Sequence, residues 1–209
     1  YELFQRLNTG GTELSPQEVR NCLMLMIKPA FYEKVNELKS YPNFLECIKP
    51  LKEHYLEKEY HMELILRMLI GFDGGTNFNE YEPISKTVIG DFIDKETIRL
   101  MNSNTMDQFE GVFKRTFDKL SPALAESSFK KYDAQRGEFS GPFNVSAFEM
   151  VSSGIAENID NIEDVGNAQL VEKIKQLYAA PEVIEGLDRG VKPIKRFRDL
   201  TAFSKNFFK

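Results

Sequence analysis

A chain of 209 residues, 42% apolar and 28% charged, has ordinary globular composition and enough apolar material for a real core, which excludes extended disorder. A net charge of −5 excludes a chain-wide phosphate-binding surface, so any nucleic-acid contact must come from a local patch of Lys and Arg. The two cysteines, Cys22 and Cys47, each stand alone in an apolar helical context. They supply neither a disulfide framework nor a CxxC metal site, and they read as buried reduced thiols of a cytoplasmic protein. No apolar run approaches the roughly 20 residues of a membrane span and no signal peptide precedes the first helix, so a soluble intracellular protein with no membrane partner is expected.

Taken in chain order, helical periodicity dominates. The chain starts at Tyr1 and enters an amphipathic segment at once, with Leu3, Phe4 and Leu7 on one face, as expected of a fragment of something longer. A polar run, LNTGGTELS, follows. Val19, Leu23, Met26 and Ile27 then recur at helical spacing up to a break at Pro29. The start of that helix is well marked, because Ser15 can cap it, Pro16 suits its first turn and Glu18 completes a capping box. Residues 31–38 and 42–48 read as short helices, and residues 57–72 as a longer one with Tyr60, Leu64, Met68 and Phe72 at four-residue steps beside Ile65 and Leu69. So broad a stripe marks a helix packed on more than one side.

A second glycine and asparagine loop, FDGGTNFNEYEP, occupies residues 72–83. Beyond it residues 84–93 and 96–101 read as helical, and Met106, Phe109, Val112, Phe113, Phe117 and Leu120 make another strong stripe. Residues 129–143, aromatic, basic and glycine-containing, read as an irregular connection. Two further helices are expected at 145–159 and 167–179, separated by an acidic linker. The tail carries Arg189, Lys192, Lys195, Arg196, Arg198, Lys205 and Lys209 against a single acid, Asp199. Period-two alternation is hardly present and there is no internal repeat, so the expected fold is an all-α, irregular multi-helix bundle. It divides into residues 1–72, a motif-bearing helical segment, and 73–209, a helical bundle with a basic C-terminal helix.

No catalytic constellation stands out. His54 and His61 are seven residues apart, too far for an HExxH-type metal site, and no serine sits in a GxSxG elbow. The first polar loop is neither a Walker A sequence nor a GxGxxG turn. Two readings of it stay open. Asn8, Thr9, Gly10, Gly11 and Thr12 run into a capped helix, so their backbone N–H groups could face an anion with Arg6 or Arg20 as charged partner; equally, Asn8 and Gly10 could end one helix while Ser15 caps the next. The tail is ambiguous in the same way. Lys192, Lys195, Arg196 and Arg198 are either a phosphate-binding patch or the solvated face of a helix packed through Ile194, Phe197, Leu200, Thr201 and Phe208.

With its flanks, the first loop says more. FQRLNTGGTELSPQEVRN resembles the segment F-x-R-[IL]-N-T-G-G-x-x-L-x-x-x-E-[IV]-R-N of a large bacterial family, domain of unknown function 262. That family includes the N-terminal part of GmrSD-type modification-dependent restriction enzymes and related phage-defence proteins. The match takes in Phe4, Arg6, Leu7, Asn8, Thr9, Gly10, Gly11, Leu14, Glu18, Val19, Arg20 and Asn21. MELILRMLI and FNVSAFEMVSSGIA look like the helical second half of such proteins. The resemblance implies a ParB/sulfiredoxin-like N-terminal lobe bearing an Asp-Gly-Gln-Gln-Arg motif, followed by helices, with roles in nucleotide binding or hydrolysis and in sensing or cutting DNA. This chain contains no DGQQR, so the resemblance implies the helical half of a larger α+β protein, inactive without its lobe.

It further implies that Arg6, Asn8, Thr9, Gly10, Gly11, Glu18, Arg20 and Asn21 lie against the nucleotide pocket, with phosphate contact from Arg6 and the glycine amides, loop shaping by Asn8 and Thr9, and capping by Glu18, or action on metal or water as its alternative. No cofactor is expected in this chain itself; an NTP with Mg belongs to the complete protein, as an NTPase or DNA nuclease. The implied partners are the missing lobe or a separate chain, DNA, and a second copy. A different class remains in view: a protein–protein or oligomerisation module, which 17 Phe and 8 Tyr without Trp would suit.

Overall fold

In the computed structural model, which describes residues 14–84, 86–188 and 190–209, the chain is a bundle of helices with one small hairpin. Proline sets the start of five helices: α1 (Pro16–Ile27), α2 (Pro29–Leu38), α3 (Pro42–Ile48), α11 (Pro181–Gly186) and α12 (Pro193–Phe207). A first-turn residue has no intrahelical acceptor for its N–H, so the missing donor costs nothing there. The break expected at Pro29 is therefore the beginning of α2. Between these run α4 (Glu53–Glu57), α5 (Tyr60–Asp73), a 3₁₀ turn (Phe78–Tyr81), α6 (Ile89–Met101), α7 (Thr105–Leu124), α8 (Val145–Glu157), α9 (Ile159–Ile162) and α10 (Asn167–Ala179). The long helix begins at Tyr60 rather than residue 57, because Glu59 takes a left-handed conformation, φ 59°, that separates it from α4. The two helices expected in 84–101 are one, starting at Ile89.

The predicted capping box of α1 is formed. Ser15 Oγ accepts from the Glu18 N–H at 3.3 Å, and Glu18 Oε2 accepts from the Ser15 N–H at 2.7 Å. Ser15 Oγ also donates to the Lys58 carbonyl at 3.0 Å, which ties the start of α1 to the turn before α5. Residues 129–143 are more ordered than an irregular connection. They hold an antiparallel hairpin, β1 (Lys131–Asp133) and β2 (Glu138–Ser140), with Tyr132 opposite Phe139. Strands of three residues are too short to show alternation, and the Asp133 side chain, accepting from the Gln135 and Arg136 N–H groups, builds the turn.

Two helices lie at the centre. Residues 62–71 of α5 and 147–156 of α8 are buried on every side, charged ones included. The expected stripe on α7 is the core of one flank: Phe109, Phe113, Phe117 and Leu120 are fully buried, with Phe113 and Phe117 4.6 Å apart between ring centroids and Phe44 of α3 5.0 Å from Phe117. Each such ring contributes about 1.5–3 kcal/mol by leaving water. The apolar core runs without interruption from Met24 to Phe208 and crosses residue 72 inside α5 and its neighbours. Cys47 lies in it as a free thiol that burial pushes up to about 12, with Ser128 Oγ donating to its sulfur at 3.4 Å. Among the described residues, no helix is long and apolar enough to cross a membrane.

Glycine lets α8 and α12 approach. A Cβ at Gly154 of α8 would lie 2.1 Å from Ser204 Oγ and 2.7 Å from the Phe208 ring of the α12 end. We therefore predict that Gly154→Ala costs about 1–3 kcal/mol in urea unfolding. Adding Ser204→Ala should recover part of that loss, because the buried Ser204 hydroxyl is the nearest clashing atom and has no hydrogen-bond partner. An undiminished cost in the double variant would contradict this account of the contact.

Candidate functional site

The buried face of α1 is partly polar: Val19, expected in the apolar stripe, is buried at 5% exposure, and Gln17 and Arg20 are buried with it. Gln17, Arg20 and Met24 point inward at i, i+3 and i+7, whereas Met26 and Ile27, expected in the stripe, are 69% and 54% exposed. The burial of Gln17 and Arg20 has a physical cause on the neighbouring helices. Arg20 is 2% exposed and donates from Nε to Asp94 Oδ1 of α6 at 2.5 Å. Its Nη1 donates to Glu63 Oε2 of α5 and to Gln17 Oε1, both at 2.8 Å. Glu63 in turn accepts on Oε1 from Arg67 Nε at 3.0 Å and Nη2 at 2.8 Å, one helical turn on, and Arg67 Nη1 donates to Glu149 of α8. The result is a buried ladder, Asp94–Arg20–Glu63–Arg67–Glu149, that joins α6, α1, α5 and α8.

Along this ladder Glu63 and Glu149 stand in different electrostatic surroundings. Burial raises the Glu63 carboxyl, but Arg67 and Arg20, flanking it on both sides, outweigh that and hold it below its ordinary value near 4.5. At Glu149 burial is the larger influence and pushes the carboxyl up against the pull of Arg67. Removing one partner of such a ladder leaves an uncompensated charge in a medium that cannot solvate it.

Of the eight residues expected at a nucleotide pocket, Arg6, Asn8, Thr9, Gly10 and Gly11 lie outside the described residues. The other three are all engaged in holding the first turns of α1. Glu18 closes the capping box, Arg20 sits in the ladder, and Asn21 accepts from Gln17 Nε2 at 2.8 Å while donating to the Met62 sulfur at 3.3 Å. Glu63, Arg67, Asp94 and Glu149 were not foreseen. The signal for two of them was a carboxylate and an arginine four residues apart inside an otherwise apolar run, MELILRMLI.

The four cations expected at a nucleic-acid face do not form one free stripe. Lys192 is exposed at the start of α12. Lys195 and Arg198 share Asp199, at 2.6 and 2.7 Å. Arg196 closes the loop before its own helix, donating to the carbonyls of Gly186, Asp188 and Val191 at 3.0, 2.8 and 3.0 Å. A cleft of about 530 Å³ beside Lys195 and Arg196 is also lined by Glu182, Glu185 and Asp199. Arg189 lies outside the described residues. Among the described residues, no group of three or more His, Cys, Asp or Glu side chains could hold a metal ion.

The ladder predicts unequal costs for removing its carboxylates. Glu63→Gln should destabilise by about 3–5 kcal/mol, since both arginines lose their shared partner. Glu149→Gln should cost no more than about 1 kcal/mol, because the amide oxygen still accepts from Arg67 and burial already disfavours the charged carboxylate there. Because the folded Glu63 value is depressed, its stabilisation is complete above its ordinary value near 4.5 and is lost as pH falls through the folded value. The stability gap between wild type and Glu63→Gln should therefore be flat from pH 8 to pH 5 and close below pH 4.5; a gap that widens on acidification would contradict it.

Compared with protein-family models, curated proteins and solved structures, the chain matches none.

Proposed function

We propose that this chain is the helical portion of a ParB-like protein of the domain of unknown function 262 type, from phage defence or restriction, which contributes part of a nucleotide- or DNA-binding site and is inactive alone. The observation that carries the reading is Arg20, the arginine of the E-V-R-N part of the motif, buried between Asp94 and Glu63. A loop that binds an anion through backbone N–H groups works when the helix it leads into cannot shift. On this reading the motif has two halves. Glu18, Arg20 and Asn21 fix the start of α1, and contact with phosphate falls to Arg6, Asn8, Thr9, Gly10 and Gly11. Mg accompanies the nucleotide only in the complete protein, and Glu18 keeps its capping role.

A second reading, a protein-interaction module, is favoured by one specific observation. Leu25, Met26 and Ile27 at the end of α1 are 50%, 69% and 54% exposed, an apolar run of the kind that marks an interface. The missing lobe, a separate chain or a second copy would each suit it. The two readings are compatible if that partner is what completes the site. DNA contact through Lys192, Lys195, Arg196 and Arg198 draws little support from the pairing of three of them.

The test is nucleotide turnover. The 209-residue chain should hydrolyse neither ATP, GTP nor CTP in the presence of Mg. Arg6→Ala or Asn8→Ala should abolish activity in the complete protein without lowering its melting temperature, whereas Arg20→Ala should lower both. Turnover at an enzymatic rate by the chain alone would sink the proposal, as would an active complete protein carrying Arg6→Ala.

A further inference from the structure

The second glycine loop, DGGTNF, is held as firmly as the first turns of α1, by a separate set of contacts. Asp73 accepts from the Thr105 hydroxyl, from the Gly75 N–H at 3.0 Å, and is paired with Arg99 Nη2 at 2.7 Å. Glu96 accepts from Thr76 Oγ1 at 2.8 Å, from the Tyr81 hydroxyl at 2.6 Å and from Arg99 Nε at 2.8 Å. Gly74 has φ +66°, and a Cβ at Gly75 would lie 2.8 Å from Asp73 Oδ2. Both positions therefore favour glycine, and the loop is shaped by its backbone.

So fixed, the loop forms one wall of a cleft of about 360 Å³ whose other wall is α12. That volume lies at the small end of the range for organic ligands. Phe78 and Phe197 line it as aromatic surface, locked through Phe92, whose ring is 6.0 Å from Phe78 and 5.5 Å from Phe197. Arg198 and Lys205 line it as cations, and among the described residues no carboxylate does. The neighbouring cleft, lined by Glu182, Glu185 and Asp199, is the opposite case. Asp199 is shared between Lys195 and Arg198, so that trio carries one uncompensated positive charge. Lys205 is 18% exposed and reaches Glu157 at 3.0 Å, with Nζ 3.6 Å from where a Cβ at Gly74 would be.

Aromatic walls and two cations, each paired from outside the lining, Arg198 through Nε with Asp199 and Lys205 with Glu157, define a ligand chemistry. We propose that the cleft between the DGGTNF loop and α12 binds a small aromatic acid, its ring against Phe78 and its phosphate or carboxylate between Arg198 and Lys205. Guanidinium and ammonium groups at a partly desolvated mouth are strong partners for either acid. The site is independent of the role proposed for the first loop.

Proton–nitrogen correlation spectra of the 209-residue chain test it, with 1-naphthyl phosphate and 1-naphthoate as probes and 1-naphthol and inorganic phosphate as their halves. At least one of the two acids should shift the amide signals of Gly74, Thr76, Thr201 and Ala202. Each half alone should bind about tenfold more weakly or worse, and Arg198→Ala should weaken the acid by about tenfold, the scale of one lost charge-assisted hydrogen bond. Ala202→Trp, at an exposed position on the α12 wall, should abolish the shifts. The relative affinity of the two acids shows whether phosphate or carboxylate is preferred. Absence of shifts with both acids, shifts centred elsewhere, equal binding by either half, or affinity unchanged in Arg198→Ala would overturn the proposal.

Discussion

A guanidinium buried with two carboxylates is the constraint on which the arrangement of helices depends. Arg20 must be removed from water for α1 to dock at all, and that is costly unless its donors find acceptors in fixed places. Asp94 on α6 and Glu63 on α5 supply them, and Glu63 in turn needs Arg67, which needs Glu149 on α8. Four helices are therefore set in mutual register by groups that tolerate little displacement. Apolar packing alone would allow a helix to slide or roll at small cost; a chain of charge-assisted hydrogen bonds does not. This is also why the buried face of α1 carries Gln17 and Arg20 beside Val19 and Met24.

The rest of the fold follows around that spine by ordinary packing. α5 and α8 are central because, apart from the ladder and the small Ser152 and Ser153, their buried residues are apolar or glycine on every side. The phenylalanines of α3 and α7 fill one flank, and α12 closes the other against the small residues Gly71, Ser153 and Gly154, meeting Gly154 with its own Ser204. Rigidity from these elements is handed to the loop that leaves α5, which Asp73 and Glu96 fix. Gly74, at φ +66°, and Gly75 make backbone rather than side chain the surface there.

Much of this was legible in the residues. The all-α class, the boundaries at Pro42, Asn167 and Ala179, the capping box of Ser15 and Glu18, and the α7 stripe all rest on local rules, in which neighbours within one turn decide the outcome. The buried face of Ile194, Phe197, Leu200, Thr201 and Phe208 was legible for the same reason. What was not legible depends on partners far apart in sequence. Arg20 reads as a solvent-facing or ligand-facing arginine until Asp94, 74 residues away, is known to lie beside it. Met26 and Ile27 read as core because periodicity cannot register that the opposite face is needed for charge pairing. The hairpin at residues 131–140 escaped because three-residue strands carry no period, and Arg196 read as a free cation because its acceptors are backbone carbonyls, which no side-chain pattern records.

The central question is whether the ladder clamps α1. A double-mutant cycle on Arg20 and Glu63, using Arg20→Met and Glu63→Gln with urea unfolding at neutral pH, measures this most directly. A coupling energy of about 2 kcal/mol or more is predicted for two buried, hydrogen-bonded partners. Additive single effects, with a coupling indistinguishable from zero, would mean that Arg20 and Glu63 do not act together and that the ladder does not clamp α1 to α5.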